Sequence, residues 1–187
     1  MGLLYLALVH HPVVNRRGEV VASAVTNLDL HDLARTARTY DLPACFIVTP
    51  LEDQQALICE LISHWCEGVG REMHPDRAQA LDLLRIEASI EGACRAIERE
   101  TGTKPQLWAT SARQSTRGLG VSDARGQLAK SEAPVLLLFG TAWGLAPSVL
   151  QGADGLLEPI RGKGDYNHLS VRCAAAILLD RLLGQAG

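Results

Sequence analysis

No two cysteines of this chain form a C-x-x-C pair, no nucleotide-binding glycine fingerprint is complete, and no apolar run approaches membrane-spanning length. Positive charge is also scarce: 18 Lys and Arg stand against 21 Asp and Glu, a formal net charge of −3. That balance exerts no global pull on a polyanion, so a nucleic-acid partner would have to be met by local basic groups. The five cysteines (Cys45, Cys59, Cys66, Cys94 and Cys173) are odd in number and scattered, most of them in apolar or helical stretches. They read as buried free thiols in a reducing compartment. The apolar stretch over residues 2–9 is too short to cross a membrane and has no basic segment before it. It reads as a strand, and the expected location is cytoplasmic, away from membranes.

The incomplete fingerprints fail for specific reasons. Gly118-Leu-Gly120 begins like G-x-G-x-x-G, but Asp123 occupies the third position and no strand-to-helix turn frames it. Gly162-Lys163 resembles the end of a phosphate loop, yet Leu157 stands where the first glycine belongs and Gly164 where a hydroxyl residue belongs. There is no G-x-S-x-G elbow. His10-His11, and His64 with Cys66 and His74, lack the spacings of metal sites, and no metal is expected.

What remains is an alternation of strand and helix patterns. The 187 residues, 47% hydrophobic and 21% charged, fit a single domain over residues 1–187 with a sizeable core. Strands are expected at 3–9, 44–49, 81–86, 106–111, 135–140 and 155–160. Helices are expected at 28–40, 52–66, 88–101, 124–130, 146–150 and 168–183. Alternation of this kind predicts an α/β fold: a mostly parallel six-stranded sheet with helices on both faces. Segments 15–18, 68–76 and 113–126 read as excursions from the core, and no repeat, low-complexity tract or linker interrupts the chain.

Three segments carry candidate chemistry. In residues 134–145, PVLLLFGTAWGL, a buried strand breaks into a turn with Gly140 and Gly144, where a ligand can approach the backbone. The same turn could be ordinary, with Trp143 filling a core gap. In residues 157–170, LEPIRGKGDYNHLS, another strand ends in a glycine-containing loop, and Asp165, Tyr166, Asn167 and His168 crowd the next helix's start. Asn167 would serve there as a helix N-cap, but capping leaves the rest of the polar tetrad unexplained. In residues 27–48, a helix presents Arg35 and Arg38 three apart on one face; a solvated basic face is the plainer reading. The last helix, LSVRCAAAILLDRLL over 169–183, is apolar nearly all round. Its surplus surface calls either for a symmetric partner or for another helix of the same chain.

Together these segments resemble the SPOUT, or α/β-knot, superfamily, especially its 2′-O-ribose methyltransferase branch. Arg35-Thr-Ala matches that branch's arginine motif, and Arg35 takes the place of its catalytic arginine. LLLFGTAWGL is similar to its second motif, without the usual acidic residue. Pro159-Ile-Arg-Gly162, three residues, Tyr166-Asn-His-Leu-Ser170 and an alanine-rich helix match its third without a gap. Two further departures are that Asn27 lies eight residues before Arg35 rather than six, and that His168 replaces an asparagine. The chain is also similar to a narrower bacterial group of RNA methyltransferases in which FGTxWGL and DYNHLSVR both occur.

The resemblance implies a C-terminal deep trefoil knot and S-adenosyl-L-methionine as cofactor. The implied cofactor residues are Thr110 and Ser111; Phe139, Gly140, Thr141, Gly144 and Leu145; Leu157, Pro159, Ile160 and Gly162; and Asn167, His168, Leu169, Ser170 and Val171. It implies an RNA substrate and a homodimer whose sites draw on both chains. Arg35 would position or activate the acceptor, with Asn167 and Ser170 orienting it and Asp165 accepting a proton or hydrogen bond. Arg16, Arg17, Arg113, Arg117, Arg161 and Lys163 are candidates for phosphate contact. The acceptor atom, ribose oxygen or ring nitrogen, stays open. The competing reading is a non-catalytic dimeric module that binds S-adenosylmethionine or another adenosine ligand, in keeping with the acidic net charge and the lack of an RNA-binding appendage.

Overall fold

The computed structural model describes residues 2–113 and 118–185. Three almost purely apolar runs form the centre of its sheet: β1 (Leu4–Val9), β4 (Cys45–Val48) and β8 (Val135–Gly140). Each is buried along its length save for Gly140 at the end of β8, as strands covered on both faces must be. β5 (Leu84–Glu87), β6 (Gln106–Ala109), β7 (Gly118–Leu119) and β9 (Gly155–Leu157) complete it. Among the described residues the sheet has seven strands, all pairs parallel, in the order β5-β4-β1-β8-β6-β9-β7. β2 (Val13–Val14) and β3 (Val20–Val21) pair as a separate antiparallel hairpin.

Alternate side chains of a strand point to opposite faces, so the central strands feed two cores. Leu6, Leu8, Ile47 and Leu137 pack under α1 (Asn27–Thr39), α2 (Glu52–Cys66), α4 (Pro75–Leu81), α6 (Val121–Lys130) and α8 (Val171–Leu183). Tyr5, Ala7, Phe46 and Leu138 pack on the other side under α5 (Ile90–Thr101) and α7 (Pro147–Gly152). A short α3 (Val69–Met73) bridges α2 and α4.

The six expected strands are all present, but the count is corrected by the seventh, β7. Its two residues lie in a segment read as an excursion and are too few to show any periodicity. The stretch 68–76 is likewise structured: α3 fills most of it, and Pro75 opens α4, whose buried Ala78, Ala80 and Leu81 delay β5 to Leu84. α8 starts three residues later than expected. Its N-cap is Ser170, whose Oγ accepts from the Cys173 N–H at 3.3 Å, and not Asn167. Of the five cysteines, Cys45, Cys66 and Cys94 are buried as read, whereas Cys59 and Cys173 are exposed. Burial pushes the Cys45 thiol up to about 12.

The surplus apolar surface of the last helix is largely covered within the chain. α8 lies against α1 and α6, burying Ala175, Leu178, Leu179 and Leu182. Arg172 ties it down, donating to Asp29 at 3.2 Å and to Asp32 at 2.8 Å, and the Tyr40 hydroxyl donates to Asp180 at 3.0 Å. Among the described residues no helix is long and apolar enough to cross a membrane.

Candidate active site

In a parallel sheet every strand ends on the same edge, and ligands bind beyond those carboxyl ends. Here the loops after β6, β8 and β9 meet the segment just before α1 around a cavity of about 860 Å³. The turn after β8 is its most constrained wall. A Cβ on Gly140 would lie 2.5 Å from the Leu145 nitrogen and 2.9 Å from the Gly144 carbonyl carbon, so only glycine fits. Ala142 and Gly144 follow in the left-handed region, at φ 52 and φ 107. The turn is pinned to β2: the Trp143 N–H donates to the Val14 carbonyl at 3.0 Å, and the Val14 N–H to the Gly144 carbonyl at 2.9 Å.

A chain of side chains anchors the same turn. The Thr141 hydroxyl donates to the Val9 carbonyl at 3.0 Å, leaving its oxygen to accept from the Ser23 hydroxyl at 2.5 Å. Ser23 in turn accepts from His10 Nδ1 at 2.9 Å, which sets the imidazole tautomer. His10 is fully buried, and its Nε2 has no partner among the described residues. Burial pushes its pKa down from 6.5 to about 4, against the attraction of Asp29. The folded protein therefore holds this ring neutral where the unfolded chain would protonate it. Stability contributed by the neutral ring is complete above pH 6.5 and is lost as pH falls toward 4, by up to about 3 kcal/mol. Urea unfolding across that window should show the decline, and His10→Asn should flatten it.

The structure brings most of the expected residues together. Thr110 and Ser111 line the cavity from β6, Phe139, Gly140, Thr141, Gly144 and Leu145 from β8, and Pro159 and Ile160 from β9. Asp165 and the run from Asn167 through His168, Leu169 and Ser170 to Val171 close it. Asn167 Nδ2 donates to the Ala112 carbonyl at 2.9 Å, joining the loop after β9 to the loop after β6. Two expected residues lie off the wall: Leu157 is in the core, and Gly162 is exposed outside the cavity. Arg113 lines the cavity; Arg16, Arg17, Arg161 and Lys163 are exposed away from it, and Arg117 lies outside the described residues.

Arg35 is elsewhere. It is exposed on α1, in a groove of about 530 Å³ between α1 and α8 that also takes in Asp32, Tyr40, Arg172 and Cys173. Ser170 borders both hollows and is the link between them. The sequence reading missed Ser23, Thr26, Asp29 and Glu158 on the cavity wall. Asp29 accepts from the Thr26 hydroxyl at 2.6 Å as well as from Arg172. Trp143 fills no core gap, being 55% exposed at the cavity.

An all-parallel sheet with its cavity walled by strand-end loops is a fold this chain shares with solved RNA-modifying enzymes. The fold matches the TrmH/SpoU tRNA modifying enzyme of Aquifex aeolicus with a TM-score of 0.57 over 98% of this chain and 75% of that one, at 14% identity. The chain belongs to the family of SAM-dependent RNA methyltransferases, whose model matches residues 3–184; S-adenosylmethionine is that family's cofactor. A tRNA (guanine-N(1)-)-methyltransferase of Oleidesulfovibrio alaskensis is 51% identical over 98% of this chain, but the chain spans only 42% of that relative's length. An uncharacterized protein of Aquifex aeolicus is 37% identical over 97% of this chain and 89% of its own length.

Proposed function

We propose that this chain transfers a methyl group from S-adenosylmethionine to RNA, with the cofactor held in the cavity at the ends of β6, β8 and β9. The observation that carries the reading is the cavity itself: two of the sequence motifs, the Gly140 turn and the run from Asp165 to Val171, wall one ligand-sized space together with the loop after β6. Its residues fit the cofactor. Phe139, Leu145, Ile160 and Leu178 offer an apolar wall to an adenine face, and the Gly140 turn leaves backbone groups accessible. Asp29, Glu158 and Asp165 suit the sulfonium and ammonium charges, and Arg113 suits the carboxylate.

When bound, S-adenosylmethionine supplies a methyl group activated on a sulfonium sulfur. The protein's task is to place the acceptor in line and take its proton. Asn167 and Ser170 orient the acceptor, Asp165 receives the proton or its hydrogen bond, and Arg35 polarises or positions the reacting nucleotide. Within one chain Arg35 lies outside the cavity, which favours a homodimer in which α1 of one chain completes the other's site. Leu28, two helical turns before Arg35 on α1, and Leu169, next to Ser170, are exposed apolar groups that such a contact could cover. We infer further that the segment after β9 forms the C-terminal knot; the insertion of β9 between β6 and β7, and the bond from Asn167 to Ala112, support it.

A tRNA is the substrate class we adopt, from the name of the 51% identical relative. That name describes a protein of which this chain matches 42%. The position of Arg35 outside the cavity also favours a second reading, a cofactor-binding module without transfer activity. Methylation of labelled total RNA by the pure protein separates the two.

Calorimetric titration with S-adenosylmethionine and with its demethylated product tests the cavity. Micromolar binding at about one site per chain is expected. Absence of binding to either by the folded protein would overturn the assignment.

A further inference from the structure

Trp143 is the tryptophan that the fold leaves unexplained. The other two tryptophans are packed: Trp108 is 1% exposed, and Trp65 is boxed in by His31, His64, His74 and the guanidinium of Arg77. Trp143 instead keeps 55% of its surface open, beside a cavity it helps to line. Its backbone is anything but loose. The turn that presents it runs through two left-handed residues, one of them Ala142, and is bonded in both directions to Val14. A non-glycine residue in that region carries strain, and such strain persists where the surroundings hold it in place. The result is a large flat apolar ring on a firmly held turn, exposed at the edge of the cavity.

Other groups lining the same cavity are of the kind that handle a nucleotide. Arg113 comes from the loop after β6, and Asn167 and His168 from the loop after β9. His168 is paired edge to face with Tyr166 at 5.3 Å, and that tyrosine is 80% exposed. The cavity's volume, about 860 Å³, lies near the top of the range of roughly 300–1,000 Å³ that ligand pockets span. It has room at its mouth for part of a second reactant. A nucleotide drawn out of an RNA strand loses its stacking neighbours, and an aromatic side chain is the usual replacement.

We propose that Trp143 is the platform on which the acceptor nucleotide's base stacks as that nucleotide enters the cavity. This rests on the reading of the cavity as a methyl-transfer site. The ring recognises a base by its face alone, so it contributes affinity and position, and the polar groups around it choose among bases.

The test uses the full chain saturated with the demethylated cofactor, its indole N–H signals followed by NMR. Titration with the four nucleoside 5′-monophosphates should move the Trp143 signal and leave that of Trp108 in place. Trp143→Ala should weaken binding of bulk tRNA roughly tenfold, with Trp143→Phe close to wild type, and S-adenosylmethionine affinity should stay unchanged in both. Loss of S-adenosylmethionine affinity in Trp143→Ala would make the indole a cofactor wall and overturn the proposal. Unmoved indole signals together with unchanged tRNA binding would overturn it too. Failure of wild-type protein to bind S-adenosylmethionine is a different result, since it removes the methyl-transfer reading itself.

Discussion

Replacing Arg35 with alanine is expected to lower methyl transfer by about 10²–10⁴-fold, the range that one positioned proton-transfer or polarising group supplies. The side chain is exposed, so its loss exposes no core. Among the described residues its guanidinium joins no salt bridge, unlike Arg38, which pairs with Asp41 at 3.1 Å, and Arg172, which holds α1 to α8. Melting temperature and calorimetric affinity for S-adenosylmethionine should therefore match wild type. A variant that loses both transfer and cofactor affinity would place Arg35 in the structural frame of the groove and remove it from the chemistry.

Gly140→Ala should fail in the opposite way. The added methyl carbon meets backbone atoms of Gly144 and Leu145, which cannot rotate aside as a side chain tip could. Overpacking of this kind costs about 1–3 kcal/mol. The strain falls on the turn that walls the cavity, and displacing such a wall by an ångström costs on the order of 10²-fold in rate. The variant should melt lower and give no titration heat at concentrations that saturate wild type. Mixing it with Arg35→Ala then reports on the assembly. If α1 of one chain serves the cavity of another, the mixture recovers activity that neither variant has alone. If each chain is self-sufficient, nothing is recovered.

The parts of this fold that could be read from the sequence are those where one physical demand fixes many neighbouring residues. A strand buried on both faces has to be apolar throughout, so β1, β4 and β8 stand out within a few residues of their true bounds. The glycine turn after β8 and the polar run before α8 are also local features, and both line the cavity. The parts that escaped depend on partners distant in the chain. Nothing near Arg172 announces that Asp29 and Asp32 wait on α1, nor does Thr141 announce Ser23 and a buried His10. β7 is two residues long and exists because β9 lies beside it. Trp143 shows why composition misleads at such points: a tryptophan between two glycines looks like core filling, and only the course of the turn puts it in the open.

The place of β9 has a consequence for how the molecule comes into being. It is the last strand among the described residues, yet it sits between β6 and β7 rather than at an edge. During synthesis those two earlier strands emerge with an unfilled gap between them, and neither pairs with the other afterwards. Until β9 has entered, the loop after β6 lacks the bond from Asn167 to its Ala112 carbonyl, and β7 has no strand to pair with. Contacts between elements so far apart in the chain form slowly. A chain cut before residue 155 would hold the residues of β1, β4, β6 and β8, the bulk of the sheet, and still lack the wall of the cavity that runs from Glu158 to Val171.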